Sequence, residues 1–419
     1  MTRAAELVAT GEELLNGKSL NTHARELGRA LWPLGWELAR ETTVPDDRAA
    51  IADAVRQACA RVGLVFVTGG LGPTEDDVTR EALGDWLRRP LVEDAAALEA
   101  MRRRYRTAGR EMTPSRRSQA RIVAGAAALP NRAGAAPGQR IAWEGKTLFE
   151  LPGPPNEFRA ILDDHVLPWL AAQGGGAAPR RIFMVAGLGE SDVRERLEAA
   201  HTLPPGVAIA YCAAPGQLEI RLRTAAELSD AEARARLEQA WQQARAALGK
   251  HIYAAERRSL AEAVAQELRT AGKTVAVAES CTGGLLGARL TDLPGSSTWF
   301  RGGFLAYANE LKENLLGVPA DLLEREGAVS DPVARRMAET ARARCGADYG
   351  LAITGIAGPD GGTAEKPVGL VFIALADANG AEVVRAHFPG DRATNREWSV
   401  QRALDLLRVR LAGAPAAVG

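Results

Sequence analysis

The run Leu64–Thr68 (Leu-Val-Phe-Val-Thr) is apolar at four successive positions and breaks straight into Gly69-Gly70-Leu71-Gly72. A strand without polar alternation has to be covered on both faces, which is the situation of a parallel strand in an α/β layer structure. Its surroundings have helical spacing. Asn21 is placed to cap a helix carrying Ala24, Leu27 and Leu31, and Asp47 to open one carrying Ile51, Val55 and Cys59. A third helix follows the glycine loop through Val78, Leu83 and Trp86, and residues 6–10 read as a short strand. This β-α-β-loop-α rhythm predicts a fold of the α/β class, with a doubly wound parallel sheet in its N-terminal domain.

The chain of 419 residues is long enough for two to four domains. Two strands are expected around Ile141 and Leu148, then a helix over about 156–170, then a linker-like stretch at 173–179 that holds Gly174-Gly175-Gly176. Residues 180–251 read strand (182–185), helix (191–200), two strands (207–211 and 217–223) and a long helix Asp230–Leu248, a small α+β middle domain. It shows no chemistry, so a spacer or dimerisation role is its default. Beyond Tyr253 come a helix to Thr270, strands at 274–278, 349–354 and 368–376, and a final helix to about Leu411. The expected domains are 1–172, 180–251 and 253–415, and the glycine run predicts that they are separable.

Composition excludes several classes. Lys+Arg and Asp+Glu both number 52, which argues against bulk electrostatic binding of DNA or an anionic membrane. Cys59, Cys212, Cys281 and Cys345 form no CxxC, and the 5 histidines have no metal spacing, so buried thiols in a reducing cytoplasm are expected and zinc is not. Glu6, Glu12 and Glu13 interrupt the first residues before any secretory apolar region, and the longest apolar runs, such as 368–376, fall short of a membrane span. Eight arginines between Arg102 and Arg121 could grip pyrophosphate or nucleic acid, but with only Tyr105 among them they read first as a solvated helix face. The 8 tryptophans are scattered and read as core. Gly272-Lys273-Thr274 is not a phosphate loop, because Glu267 stands where the earlier glycine belongs.

Three glycine-rich turns remain as places for chemistry. Gly69, Gly70 and Gly72 let backbone amides approach an anion at the mouth of a helix, and Glu75, Asp76 and Asp77 beside them suggest a divalent metal bridging protein and phosphate. The plain alternative is a tight turn with helix-capping acids. In Ala278-Glu279-Ser280-Cys281-Thr282-Gly283-Gly284 a strand turns into a helix, a setting that exposes a small nucleophile, Ser280 or Cys281. No histidine lies near, so Lys312 or Tyr307 would have to act as base. They are five apart and converge only if a helix begins between them, with Asn309 as a possible cap. The third turn, residues 354–362, could cradle a phosphate, and Arg392 could add a bidentate contact.

These motifs together resemble the CinA family. Gly69–Thr79, the Thr10–Gly17 segment, Asn21-Thr22 and Leu151–Pro155 are similar to the ligand loops of the molybdopterin-binding MoaB/MogA-like fold. Glu12 stands where that family usually has Asp. The resemblance implies a metal-dependent ADP-ribose pyrophosphatase. Its ligand residues would be Asn21, Gly69, Gly70, Gly72, Thr74, Asp76, Asp77, Thr79 and Gly153, its metal ligands Asp77 and Asp76, and the 151–155 loop would close the site. The segments 279–284, 295–297, 307–312, 327–330, 354–362 and 365–369 resemble a PncC-type nicotinamide-nucleotide amidase, which turns nicotinamide mononucleotide into nicotinate mononucleotide and ammonia. Ala308 stands where many relatives have Ser. The resemblance implies Ser280 as nucleophile, with Lys312 and Tyr307 as base and proton relay. Ser297, Asn309, Glu310, Thr354, Gly355, Ala357, Gly358 and Arg392 would be its pocket residues, and it needs no cofactor. It further implies a cytoplasmic homodimer acting on small nucleotides, with no membrane or specific nucleic-acid partner. The alternative is a nucleotide- or pterin-binding regulator linked to competence, with a non-catalytic N-terminal domain.

Overall fold

The computed structural model describes residues 3–173, 179–200, 203–225 and 227–413. The glycine run 174–176 and His201 lie outside the described residues. The chain divides into two compact units: one runs to Arg180, and the other takes the rest apart from a short stretch near Asp230.

The first unit is built on a six-stranded sheet. Its strands are β1 (Arg3–Thr10), β2 (Trp36–Val44), β3 (Leu64–Thr68), β6 (Ala127–Leu129), β7 (Gly138–Trp143) and β8 (Lys146–Leu151), with β4 (Leu91–Glu93) and β5 (Arg121–Val123) forming a separate ribbon. The order is β2-β1-β3-β8-β7-β6. The first four are parallel, and β7 runs against them, pairing antiparallel with both β8 and β6. The sheet is therefore mixed, not wholly parallel. The cause is local: Glu144 and Gly145, both with left-handed φ (46° and 72°), turn β7 straight into β8. A two-residue turn of that hand makes a hairpin and leaves no room for a crossover helix.

All five residues of β3 are buried. Val65 and Val67 face a core with Val55, Leu83 and Ile141, while Leu64 and Phe66 face another with Leu27, Phe149 and Phe158. The two-residue strand period thus serves two cores at once. Asp47 caps the helix Arg48–Arg61 by accepting from the Ala50 amide at 2.9 Å. The helix expected over 156–170 is a helical run from Pro155 to Ala172 with a π turn at Leu162–Val166. Pro168, which has no amide to donate, sits in the first turn of the segment that follows, and a π turn is one way to absorb it.

The second unit holds two sheets. The smaller orders as β10 (Val207–Ala214), β11 (Gln217–Thr224), β9 (Arg180–Val185) and β12 (Ile252–Ala254), with helices Glu190–Ala199 and Asp230–Leu248 supplying Val193, Leu197, Leu237 and Trp241 to its core. The larger orders as β14 (Phe300–Leu305), β13 (Val275–Glu279), β15 (Tyr349–Gly355), β16 (Leu370–Asp377) and β17 (Gly380–His387). Here β14, β13 and β15 are parallel, and β16 and β17 antiparallel. Helices Leu260–Ala271 and Arg392–Leu411 pack on one face and Asp331–Cys345 on the other. Among the described residues no helix is long and apolar enough to cross a membrane.

The two sheets of this unit are tied by buried polar contacts. Arg257 pairs with Glu219 at 2.7 Å, the Tyr253 hydroxyl donates to the Arg258 carbonyl at 2.8 Å, and Arg408 donates to the Lys250 carbonyl at 3.0 Å while pairing with buried Asp405 at 2.7 Å. The middle segment is thus packed on the C-terminal sheet. A chain starting at Ile252 would uncover Asp405 and Arg408, and leaving a buried charge cluster half-solvated costs on the order of 1–3 kcal/mol. Thermal unfolding should show a chain starting at Arg181 melting close to the second unit of the full protein, and one starting at Ile252 melting several degrees lower.

Candidate functional sites

In the first unit β3 delivers Gly69 and Gly70 into a cramped corner. A Cβ on Gly70 (φ 65°) would lie 2.1 Å from the Thr79 hydroxyl, and one on Gly69 would lie 2.5 Å from the Thr10 carbonyl. From the first turn of the helix Thr79–Leu87, Arg80 folds back beneath the loop and donates to the carbonyls of Leu71 (3.0 Å) and Gly72 (3.3 Å). Gln119 donates to the same Leu71 carbonyl at 3.3 Å. With its carbonyls held from below, the loop keeps the amides of Gly70, Leu71 and Gly72 without a hydrogen bond among the described residues. Such amides form an anion-binding concavity.

They border a cavity of about 590 Å³. Of the expected residues, Gly69, Gly70, Gly72, Asp76, Asp77 and Gly153 line it. Thr74 does not. It braces Asp77, whose carboxylate accepts from the Thr74 amide at 2.9 Å and from its hydroxyl. Thr79 is buried under Gly70. Asn21 does not line the cavity: its side-chain amide donates to Glu41, and its side-chain carbonyl accepts from the amide of His23, the first residue of the following helix, so it satisfies a free amide of that helix although the N-cap position is Thr22. The loop Pro152-Gly153-Pro154 borders the same cavity.

Two further acids line this cavity that sequence reasoning did not single out, Asp46 and Glu157. Burial pushes the Asp46 carboxyl above its ordinary value, and the charges of Glu13, Asp76 and Asp77 add to the effect. Asp76 moves the other way, held low first by the nearby Thr74 side chain and then by its own backbone amide. Hard carboxylate oxygens beside free amides suit a divalent cation carrying phosphate. Among the described residues no three His, Cys, Asp or Glu converge closely enough to hold a metal by themselves. Such a cation fits here only if water and substrate oxygens complete its shell.

The arginine run is mostly engaged with its own neighbourhood. Arg117 pairs with Glu93, Arg121 with Glu81, and Arg102 and Arg106 lie near Glu99. Arg104 donates to the carbonyls of Arg132 and Ala133, and Arg116 lies over the Tyr105 ring.

Below the glycine loop, Glu150 is fully buried and accepts from Gln139, and burial pushes its carboxyl up to about 7. A carboxyl raised in the fold contributes stability that is complete below its unfolded value and is lost as pH rises through about 7. The difference from an ordinary glutamate corresponds to roughly 3 kcal/mol. Denaturant unfolding should therefore show the native chain losing that much stability, relative to Glu150→Gln, between about pH 4 and pH 8.

In the second unit Ser280 follows β13, its amide donating to the Ile353 carbonyl at 3.0 Å. The carboxylate of Glu279, itself buried, accepts from the amides of Gly284 (3.1 Å), Leu286 (3.0 Å) and Gly287 (2.8 Å). This fixes the turn from β13 into the helix Leu285–Thr291. Cys281 is buried, and burial pushes its thiol up to about 12, so it is no thiolate near neutral pH.

Lys312 is 1% exposed, and its ammonium donates to the carbonyls of Ala306 (3.0 Å) and Tyr307 (2.9 Å). Ala306 adjoins the end of β13, since its amide donates to the Glu279 carbonyl at 2.9 Å. Lysine and Ser280 turn are thus neighbours. Burial lowers the Lys312 value below that of an ordinary lysine, and among the described residues no carboxylate forms an ion pair with it. A helix does begin between Tyr307 and Lys312, at Asn309–Leu316, but its N-cap is Ala308 and not Asn309.

The Tyr307 hydroxyl accepts from Arg392 at 3.1 Å, and Arg392 also donates to the Gly358 carbonyl at 2.9 Å. These contacts join the 307–312 segment to the third glycine loop. Asn395, missed from the sequence, is fully buried and stitches that loop to the final helix through Ala357 (3.1 Å) and Gly390 (2.8 Å). Thr354 is buried at the end of β15, beside Gly355, and donates to the Ala328 carbonyl at 2.8 Å. Asn309 and Glu310 are exposed in the first turn of their helix. Ser297 is not brought to Ser280. It precedes Phe300, which pairs with Val275 at the opposite end of β13.

Three family models match successive parts of the chain. "Probable molybdopterin binding domain" spans residues 6–172, "Damage-inducible protein CinA KH domain" 180–254, and "CinA C-terminal domain" 257–411. A CinA-like protein of Solibacter usitatus is 42% identical over 98% of this chain and 98% of its own length. The chain belongs to the CinA family. A CinA-like protein of Parasynechococcus marenigrum is 43% identical over 97% of this chain and 98% of its own length. The crystal structure of CinA from Thermoplasma acidophilum is 35% identical, covers 39% of this chain and 95% of that one, and gives a TM-score of 0.37. The N-terminal domain is accordingly MoaB/MogA-like and the middle domain of the CinA KH type. The middle segment contains no Gly-X-X-Gly, the loop with which KH modules clamp a nucleotide backbone.

Proposed function

We propose that the chain is a bifunctional pyridine-nucleotide salvage enzyme. Its C-terminal domain would hydrolyse the amide of nicotinamide mononucleotide, and its N-terminal domain would hydrolyse ADP-ribose with a divalent metal. The observation that carries the first activity is Lys312, a buried lysine without an acidic partner beside the Ser280 turn. As a neutral amine it keeps two N–H groups, enough for the Ala306 and Tyr307 carbonyls, and presents its lone pair to a third direction. It can then take the Ser280 proton as the hydroxyl oxygen attacks the carboxamide carbon. The proton passes to the departing nitrogen, ammonia leaves, and a nicotinoyl ester on Ser280 remains. Water attacks the ester and regenerates the serine with nicotinate mononucleotide as product. Tyr307 would relay the proton and Arg392 would contact the phosphate, a pairing that their mutual hydrogen bond supports.

Ammonia release from nicotinamide mononucleotide tests this reading. Ser280→Ala should abolish turnover and leave binding largely intact, while Cys281→Ala should keep it. Lys312→Arg should lose turnover at least a hundredfold, because a guanidinium cannot give up its proton. The native rate should rise with pH through a midpoint below the ordinary lysine value, since burial lowers Lys312 and only its neutral form acts. Full turnover in Ser280→Ala with loss in Cys281→Ala would replace serine by the thiol.

For the N-terminal site the supporting features are the free amides of Gly70–Gly72 and the acids beside them. Asp77 and Asp76 would hold the metal, which when bound neutralises pyrophosphate charge and polarises the bond to be cut. Water then splits ADP-ribose into AMP and ribose 5-phosphate. Asp77→Ala should lower AMP release at least tenfold, and chelator should abolish it. The description of this domain's family as molybdopterin binding favours a second reading, a pocket that binds without hydrolysing. Nucleotide binding without AMP release at any divalent metal would decide for that one.

A further inference from the structure

One large cavity belongs to neither glycine-loop site. It measures about 870 Å³ and lies in the second unit, between the middle sheet and the final helix Arg392–Leu411. One wall is a face of that helix, with Trp398, Gln401, Arg402 and Asp405 spaced at helical intervals. The facing wall is the turn Gly187-Leu188-Gly189 and the start of the helix Glu190–Ala199. A Cβ on Gly187 (φ 73°) would stand 2.9 Å from the Asp405 carboxylate, so this turn approaches the helix as only glycine can.

The charges in the cavity are sorted. Arg196 and Lys250 line it, are exposed, and have no ion-pair partner among the described residues. Arg402 reaches Asp405 only at 3.5 Å, while Arg408 takes that carboxylate at 2.7 Å. These cations surround His251, whose ring lies 3.1 Å from the Ala186 carbonyl. Burial first, then Arg196 and Lys250, hold His251 below its ordinary value against the Ala186 carbonyl and Asp405, and the cavity's lining carries five Lys or Arg (Arg196, Lys250, Arg385, Arg402, Arg408) against three carboxylates (Glu190, Asp192, Asp405). Further along, Phe388 and Trp398 pack with centroids 5.5 Å apart and offer ring surface to the cavity. Glu190 at the rim is a carboxylate acceptor. The Gln401 side-chain carbonyl is buried without a hydrogen-bond partner, although its amide donates to Glu397.

We propose that this seam is a third ligand site, built for a nucleoside monophosphate. Arg196, Lys250 and Arg402 take the phosphate, the Phe388–Trp398 pair takes the base, and Glu190 accepts from the ribose hydroxyls. The volume lies in the range of small-molecule pockets, and anion, flat ring and hydroxyl donor match the three kinds of wall. Neither proposed activity is needed for the argument.

Photolabelling of the full chain with 8-azidoadenosine monophosphate, followed by peptide mapping, tests it. Label should appear in peptides from 187–218 or 384–409, should fall when inorganic phosphate is in excess, and should be absent with 8-azidoadenosine, which has no phosphate. Arg196→Ala with Lys250→Ala should cut seam labelling at least tenfold, and Lys250→Ala alone should give an intermediate loss. Both side chains are exposed, so melting should not change. Label confined to peptides from the two glycine-loop sites, seam label that survives the double variant, or equal labelling by the nucleoside would each overturn the proposal.

Discussion

Everything chemical in this chain depends on how a strand buried on both faces is allowed to end. In β3 and β13 every residue is buried, and each strand is flanked by two others that use up its amides and carbonyls. Past the last residue that pairing stops, and backbone polar groups face a gap between helices. Ligands in open α/β sheets gather at these carboxyl ends for that reason. The two turns are then locked with opposite polarity. Arg80 holds carbonyls of the Gly69–Gly72 loop and so leaves its amides free. Glu279 instead consumes three amides at the start of the helix Leu285–Thr291. The first turn is therefore prepared for an anion. In the second the helix N-terminus is already satisfied, and under the proposed reading the substrate phosphate would be met by Arg392, which joins the 307–312 segment to the third glycine loop.

What the sequence discloses follows the same logic. Leu64–Thr68 and Asp230–Leu248 are legible to the residue, because one is an unbroken apolar run and the other a long periodic one. β2, β14 and β17 are not. They are outer strands of their sheets, broken up by polar residues in β2 and β17 and by Arg301, Gly302 and Gly303 in β14, so no apolar pattern marks them. The antiparallel edge was written in Glu144-Gly145, a two-residue turn between two short strands, but the rhythm of the first hundred residues pointed to a parallel sheet throughout. Site residues divide in the same way. Glycines and acids inside a motif announce themselves. Asp46, Glu157 and Asn395 do not, since each acts across the fold and none has a motif around it.

The final helix shows how one element serves several purposes. Its first turns carry Arg392, Asn395 and Arg396, which reach Gly358, Ala357 and Thr282 around the Ser280 turn. Its later turns carry Trp398, Arg402, Asp405 and Arg408 against the middle segment. A rigid rod of 20 residues thus spans from a glycine loop to the seam. The middle segment is therefore more than a spacer: it covers charged groups of the C-terminal sheet that would otherwise stand half-solvated.

Burial also explains how amide chemistry could run here without histidine. Moving an acid and a base together out of water raises the one and lowers the other, which shifts each toward its neutral form. Cys281 and Lys312 are displaced in just those opposite directions. A thiol mechanism needs the charged pair, thiolate and ammonium, which such a site disfavours. A serine needs no prior ionisation, because its proton can move to a neutral amine while the carbon–oxygen bond forms. The charge would then appear only in the transition state, where the Thr282 amide, which has no backbone partner among the described residues, could meet it. The desolvation that raises the cysteine also lowers the lysine, and this is the physical reason the proposed mechanism takes Ser280 and not its neighbour as nucleophile.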